Sequence, residues 1–197
     1  MITKLEPTPA GADPLNHLQW VDADQLDPNS WNPNRVHDAE LKLLARSMLE
    51  TGWIQPLLVN PDGLIIDGFH RWRLSSNGGV DGHGKWKRLA AQVRERWSGR
   101  VPVAVLDVDR PTAMLMTIRI NRAKGTHVAV SMSEIVRELI EVHAMDPQQI
   151  ATEMGATLDE VNLLAQDGVF AVKGIKNWAY SPAWYPAEDG RKPAAKR

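Results

Sequence analysis

The sequence predicts a mixed α/β fold with a helical segment behind it. Two observations carry this. Short apolar runs bounded by turn formers alternate with amphipathic stretches as far as Asp109, and after Arg110 only helical spacing is left. Residues 1–17 are rich in Pro, Gly, Ala and Thr and read as a flexible arm. Trp20 to Leu26 reads as a short strand or extended lead-in, and Asp27 to Asn34 as a run of turn formers. Asp38 can cap a helix reaching about Thr51, with Leu41, Leu44, Ala45, Met48 and Leu49 recurring at three and four, and Gly52 ends it. Ile54 to Asn60 reads as a buried strand, Pro61-Asp62-Gly63 as a tight turn, and Leu64 to Asp67 as the returning strand. Phe69 to Ser75 starts a helix, Asn77 to Gly84 is a loop with four glycines, Trp86 to Trp97 is a basic helix, and Val101 to Val108 is a strand with Pro102 at its tolerant start. Pro111 to Asn121, Ser131 to His143, Pro147 to Met154 and Leu158 to Gln166 all carry helical spacing, with Asp146-Pro147 and Asp159 as start signals and Gly155 as a stop. The division expected is an arm (1–17), an α/β domain (18–110), a helical subdomain (111–167) and a tail (168–197).

Composition excludes several classes. With 197 residues, 43% apolar and 24% charged, the chain has the makeup of an ordinary globular protein. No apolar run approaches the roughly 18–20 residues of a membrane span. The first eleven residues lack a secretory pattern, so a cytoplasmic home is expected. The absence of cysteine excludes disulfides, Cys-ligated zinc, iron–sulfur clusters and thiol nucleophiles.

The formal charge of −1 hides segregation. From Gly84 to Arg100, Lys85, Lys87, Arg88, Arg94, Arg96 and Arg100 face only Glu95, giving +5. From Ser131 to Gln166, seven acids face only Arg137, giving −6. The last seven residues add four cations. Lys85, Lys87, Arg88, Arg94 and Arg96 are therefore the nucleic-acid candidates, and the acidic helices are candidates for a protein partner.

The chemistry concentrates in Leu64-Ile65-Ile66-Asp67-Gly68-Phe69-His70-Arg71-Trp72-Arg73. An apolar strand meets a glycine, and a helix then begins with His, Arg and Arg. Such a corner presents backbone N–H groups and guanidinium donors, which suit a phosphate. Asp67 at the strand end can hold a cation or accept a proton.

Four ordered segments extend the pattern: Pro28 to Arg35, Gly52-Trp53-Ile54-Gln55-Pro56-Leu57-Leu58-Val59, Pro61-Asp62-Gly63, and Asp67 to Arg73. Together they resemble the N-terminal domain of ParB-type partition proteins over about Val21 to Asp109, a family that shares its fold with sulfiredoxin and a group of free-serine kinases. The resemblance implies a small mixed sheet with helices that binds a nucleotide, with magnesium and ATP, ADP or CTP as the cofactors and DNA as a partner. Gly68 and Arg71 match the family's Gly-Glu-Arg-Arg corner directly, and His70 stands where an Arg does. Arg35 falls near an early loop arginine that contacts nucleotide, and Arg73 adds a further cation. The family's Glu-Asn-x-x-Arg motif corresponds to Ile120-Asn121-Arg122-Ala123-Lys124, which makes Asn121 and Lys124 candidates. The Glu that supports hydrolysis there is absent here.

The resemblance leaves three functions. One is a nucleotide-binding, DNA-associated protein of segregation, regulation or a phage or mobile-element pathway. The second is an ATP- or ADP-dependent phosphotransferase like the serine kinases, with Asp67 and His70 as catalytic candidates and Asp67 as the magnesium candidate; Asp38 and Glu40 are the nearest upstream acids. The weakest is a nuclease. Sulfiredoxin chemistry is excluded, because Phe69 stands where its catalytic cysteine would be.

Two other patterns are weighed against plainer readings. Gly79 to Lys85 matches G-x-x-x-x-G-K but is followed by Trp86 instead of Ser or Thr, and reads as a loop. Asp146 to Val161 has a helix–turn–helix pattern, yet its second helix opens on Leu158-Asp159-Glu160, which phosphate would repel. The chain has eight Trp: Trp31, Trp53 and Trp72 read as core or site wall, while Trp86 and Trp97 sit among cations where base stacking competes with core packing.

Overall fold

The structure is a computed structural model and describes residues 4–28, 38–77, 86–123 and 129–166. Arg35, Lys85, Lys124, the Gly79 to Lys85 loop and the basic tail lie outside the described residues. The fold is mixed α/β. Four strands, β1 (Gln19–Asp22), β2 (Leu57–Val59), β3 (Ile65–Asp67) and β4 (Arg100–Val105), form one sheet in the order β1-β4-β2-β3. β1 runs antiparallel to β4, β2 parallel to β4, and β3 antiparallel to β2. Helices α1 (Asp38–Thr51), α2 (Phe69–Ser75) and α3 (Lys87–Trp97) are interleaved with the strands. α4 (Arg110–Ala123), α5 (Ala129–Glu141), α6 (Pro147–Met154) and α7 (Leu158–Ala165) follow.

The apolar periods sort into three cores. Leu57, Val59, Ile65, Val101, Val103 and Val105 of the sheet pack with Ala23, Leu26 and Trp72. Leu41, Ala45 and Met48 of α1 meet Leu74 of α2 and Ala90 and Val93 of α3 around Trp86. The helical part closes over Met114, Leu115 and Ile118 of α4, with Ile135 and Leu139 of α5, Ile150 of α6 and Val161 of α7. α4 joins the two parts: Thr117 Oγ1 donates to the Ile66 carbonyl of β3 at 3.0 Å. Burial on several sides explains why α4 shows little amphipathic contrast in sequence.

Several boundaries differ from the sequence expectation. The strand expected over Ile54 to Asn60 contracts to three residues, because Pro56 lacks the N–H a ladder needs and Ile54 turns to solvent, 74% exposed. β4 ends at Val105, and the Val108 N–H turns back to the Leu106 carbonyl at 2.9 Å. Past Asp22 the chain tightens into a 3-10 turn, Ala23–Gln25. α7 is capped by Thr157, whose Oγ1 accepts from the Glu160 N–H at 3.1 Å; Asp159 lies in the first turn as a favourable N-terminal charge. Residues 4–17, read from composition as an arm, make defined contacts: the Leu5 N–H donates to Pro61 and the Thr8 N–H to Val105, both at 2.8 Å. Leu5 also packs on the sheet core. Among the described residues no helix is long and apolar enough to cross a membrane.

Candidate functional site

β2 and β3 form a short hairpin, and the chain leaves β3 through Gly68 into α2. Gly68 has φ +96°, in the left-handed region. A Cβ at that position would lie 2.5 Å from Leu57 Cδ2 and 3.1 Å from Arg71 Nη2. The glycine is thus required twice, by the backbone angle and by the close approach.

Arg71, one turn into α2, folds back over that glycine. Its Nη1 donates to the Gln55 carbonyl at 3.0 Å and to Gln55 Oε1 at 2.9 Å. Its Nη2 lies 3.3 Å from Asp67 Oδ2, an i,i+4 ion pair with side-chain exposures of 12% and 19%. Burial pushes the Arg71 guanidinium below its ordinary value, and Asp67 opposes that shift. Two of the five guanidinium N–H groups go to Gln55 and one to Asp67, which leaves Nε and one Nη2 proton for an incoming oxygen. The site is built to hold a cation steady at the mouth of a glycine turn.

The other sequence-derived candidates divide. Asp67, Gly68 and Arg71 come together at this corner, and His70, beside Arg71 in α2, packs edge-on against Phe69 with ring centroids 5.6 Å apart. Arg73 does not join them. Residues two apart on a helix face away from each other, and the Arg73 guanidinium stacks 4.9 Å from the buried Trp86 ring. Asn121 is buried in α4, 5% exposed, four residues from Thr117 and so on the face that meets β3. Among the described residues no group of three His, Asp or Glu is placed to hold a metal ion.

The basic helix α3 is less uniform than its charge implies. Arg94 pairs with Asp24 at 3.3 Å, while Arg96 donates to the Leu49 carbonyl and covers the Trp97 ring at 4.8 Å. Arg88 is exposed and Lys87 half-buried. Trp86, weighed for base stacking, is core at 2% exposure. In the acidic helices, three of the seven carboxylates are matched from α4: Arg110 to Glu138 at 2.8 Å, Arg119 to Glu153 at 3.1 Å and Arg122 to Glu160 at 2.7 Å. Gln55 is the residue at the corner to which the sequence assigned no role. A separate concavity of about 410 Å³ lies beyond the opposite end of β2, between Thr8, Pro9, Leu106, Val108 and Met116.

A small mixed sheet with a glycine-turned strand–helix corner and a held arginine defines an α/β domain with its candidate site at the end of β3. Residues 10–121 match the ParB N-terminal domain, and the chain belongs to that family. A relative 35% identical over 185 residues is YbdM, an uncharacterized protein of Escherichia coli (strain K12), with 90% of this chain and 80% of that protein covered. Solved structures similar to the chain include two of C-terminally truncated ParB from Caulobacter crescentus. One is complexed with CTP-gamma-S, at 23% identity and TM-score 0.40 with 80% and 85% of the two chains covered. The other is complexed to the centromeric parS site, at 22% identity and TM-score 0.44 with 79% and 78% covered. A Pnob8-like ParB-N domain matches at 13% identity and TM-score 0.45, covering 77% of this chain and 62% of that one.

Proposed function

We propose that this protein binds a nucleotide at the Asp67–Arg71 corner and works in association with DNA. Family membership supports the reading, and one observation carries it: the Arg71 guanidinium is held over Gly68 by Gln55 and Asp67 with donors to spare. Arg71 and the backbone after Gly68 grip phosphate oxygens, and Asp67 is the carboxylate that would help hold a magnesium ion, which would supply charge neutralisation. Arg35, His70, Asn121 and Lys124 complete the nucleotide contacts. ATP, ADP and CTP are the nucleotides to test, because the corner addresses phosphate and leaves the base unspecified. Residues 18–110 form the nucleotide domain and 111–167 a helical unit. Its α6–α7 pair serves packing or a protein partner, since no Lys or Arg occurs from Glu138 to Gln166.

A second reading, phosphoryl transfer, draws on the Asp67 carboxylate beside Arg71. It requires movement of label from ATP or ADP to an acceptor. The primary test is calorimetric titration of ATP, ADP, CTP and GTP with magnesium into the protein and into Arg71→Ala. Binding that drops at least tenfold in the variant is expected. Equal affinity in the two proteins removes the corner from the site.

A further inference from the structure

We propose that β1, the C-terminal end of α3 and the segment after α1 form a stacking platform for single-stranded nucleic acid. Trp20, Trp53 and Trp97 make a chain of edge-to-face rings with centroids 6.5 and 6.0 Å apart. The chain surfaces at one end: Trp20 is 43% exposed on an edge strand, and Ile54, beside Trp53, is 74% exposed. Leu18, two positions before Trp20 on the same side, is also exposed. Trp53 and Trp97 are partly buried behind Trp20, so Trp20 is the ring of the three that opens to water, and an exposed ring suits a flat, unpaired base.

The charge around the rings fixes the sign of that partner. Arg96 is held by the Leu49 carbonyl and Arg100 by the Trp20 carbonyl. Both acceptors are neutral, so the guanidinium charge is oriented without being cancelled. Arg94, paired to Asp24, contributes much less. Arg88, nine positions before Trp97, lies half a turn round α3 from it and stands apart from the rings. Asp22 is the register partner of Arg100 across β1 and β4, so Arg96, laid over the Trp97 ring, is the cation that contributes most at the rings. A duplex keeps its base faces stacked inside and offers nothing to Trp20; a single strand offers both faces and phosphates.

The inference rests on the DNA-association half of the proposed function and is independent of the nucleotide corner. It is tested by fluorescence anisotropy of a labelled short oligothymidylate and of a duplex. The proteins are the full chain, Trp20→Ala, Trp20→Phe and the double variant Arg96→Gln with Arg100→Gln. Oligothymidylate binding is expected to weaken about tenfold or more in Trp20→Ala and to be largely kept in Trp20→Phe. The double variant should flatten the log–log salt slope by about one unit. Circular dichroism confirms that each variant is folded. Equal binding by Trp20→Ala overturns the platform. Duplex binding without single-strand binding overturns the platform and leaves DNA association standing, and binding of neither removes both.

Discussion

Trp72 Nε1 donates to the Ala23 carbonyl at 2.7 Å across 49 positions of sequence. The bond ties α2, which carries Arg71, to the turn after β1. Both ends are buried, Trp72 at 7% and Ala23 at 0% exposure, so water cannot replace either partner. Trp72 is therefore the peg that sets how α2 sits on the sheet, and through it where the corner arginine projects.

Trp72→Phe keeps most of the ring and removes the donor. The Ala23 carbonyl is left buried and unpaired, which costs about 1–3 kcal/mol. Urea denaturation should show a lower midpoint with an unchanged slope. A midpoint equal to that of the parent would mean that the carbonyl finds another donor.

Gly68→Ala should be among the most damaging single-methyl additions in the chain. The new Cβ meets Leu57 Cδ2 at 2.5 Å, and the residue must also hold φ +96°. Backbone strain of this kind costs about 1–3 kcal/mol. Relief requires Leu57 to move in the sheet core or Arg71 to lift off the corner. Thermal unfolding should show a Tm several degrees lower, and nucleotide affinity should fall further than stability alone explains. An unchanged Tm would show that the turn adopts another conformation at no cost.

The elements were legible because their cores are periodic. α1, α2, α3 and α6 lie within a residue or so of the expected ranges, since the apolar stripes that bury Leu41, Ala45 and Met48, or Ala90 and Val93, are written at helical spacing. The corner was legible as a motif, but its geometry was not. Nothing local in Gln55 announces a side chain that meets Arg71 sixteen residues away. Arg73 misled because charge alone does not state direction; helical geometry aims it at Trp86 instead. The acidic helices misled in the same way. Their charge reads as unopposed over 131–166, while the opposing arginines stand on α4, as when Arg122 meets Glu160 at 2.7 Å. Pairing across elements decides whether a charged segment is a surface or a joint.

Asp109 supplies a pH dependence with a definite sign. It caps α4: its Oδ1 accepts from the Thr112 N–H at 3.0 Å, and its carbonyl accepts from Ala113 at 2.9 Å. The hydrogen bonds from Thr112 hold its carboxyl below the ordinary value, with the charge of His143 acting in the same direction and slight burial opposing. A folded-state value below the unfolded one means the stabilisation is fully present above the unfolded pKa, about 3.9. It is lost as pH falls through the lower folded value. Asp109→Ala should cost about 0.5–2 kcal/mol at neutral pH, the usual value of a lost cap. Asp109→Asn keeps an oxygen acceptor and removes the titration. Urea midpoints measured from pH 7 down to pH 2 should therefore place the parent above Asp109→Asn at neutral pH by the charge–dipole share of the cap. The two should converge as the carboxyl protonates. Parallel curves over that range would assign the acid limb to other carboxylates and reduce Asp109 to a neutral cap.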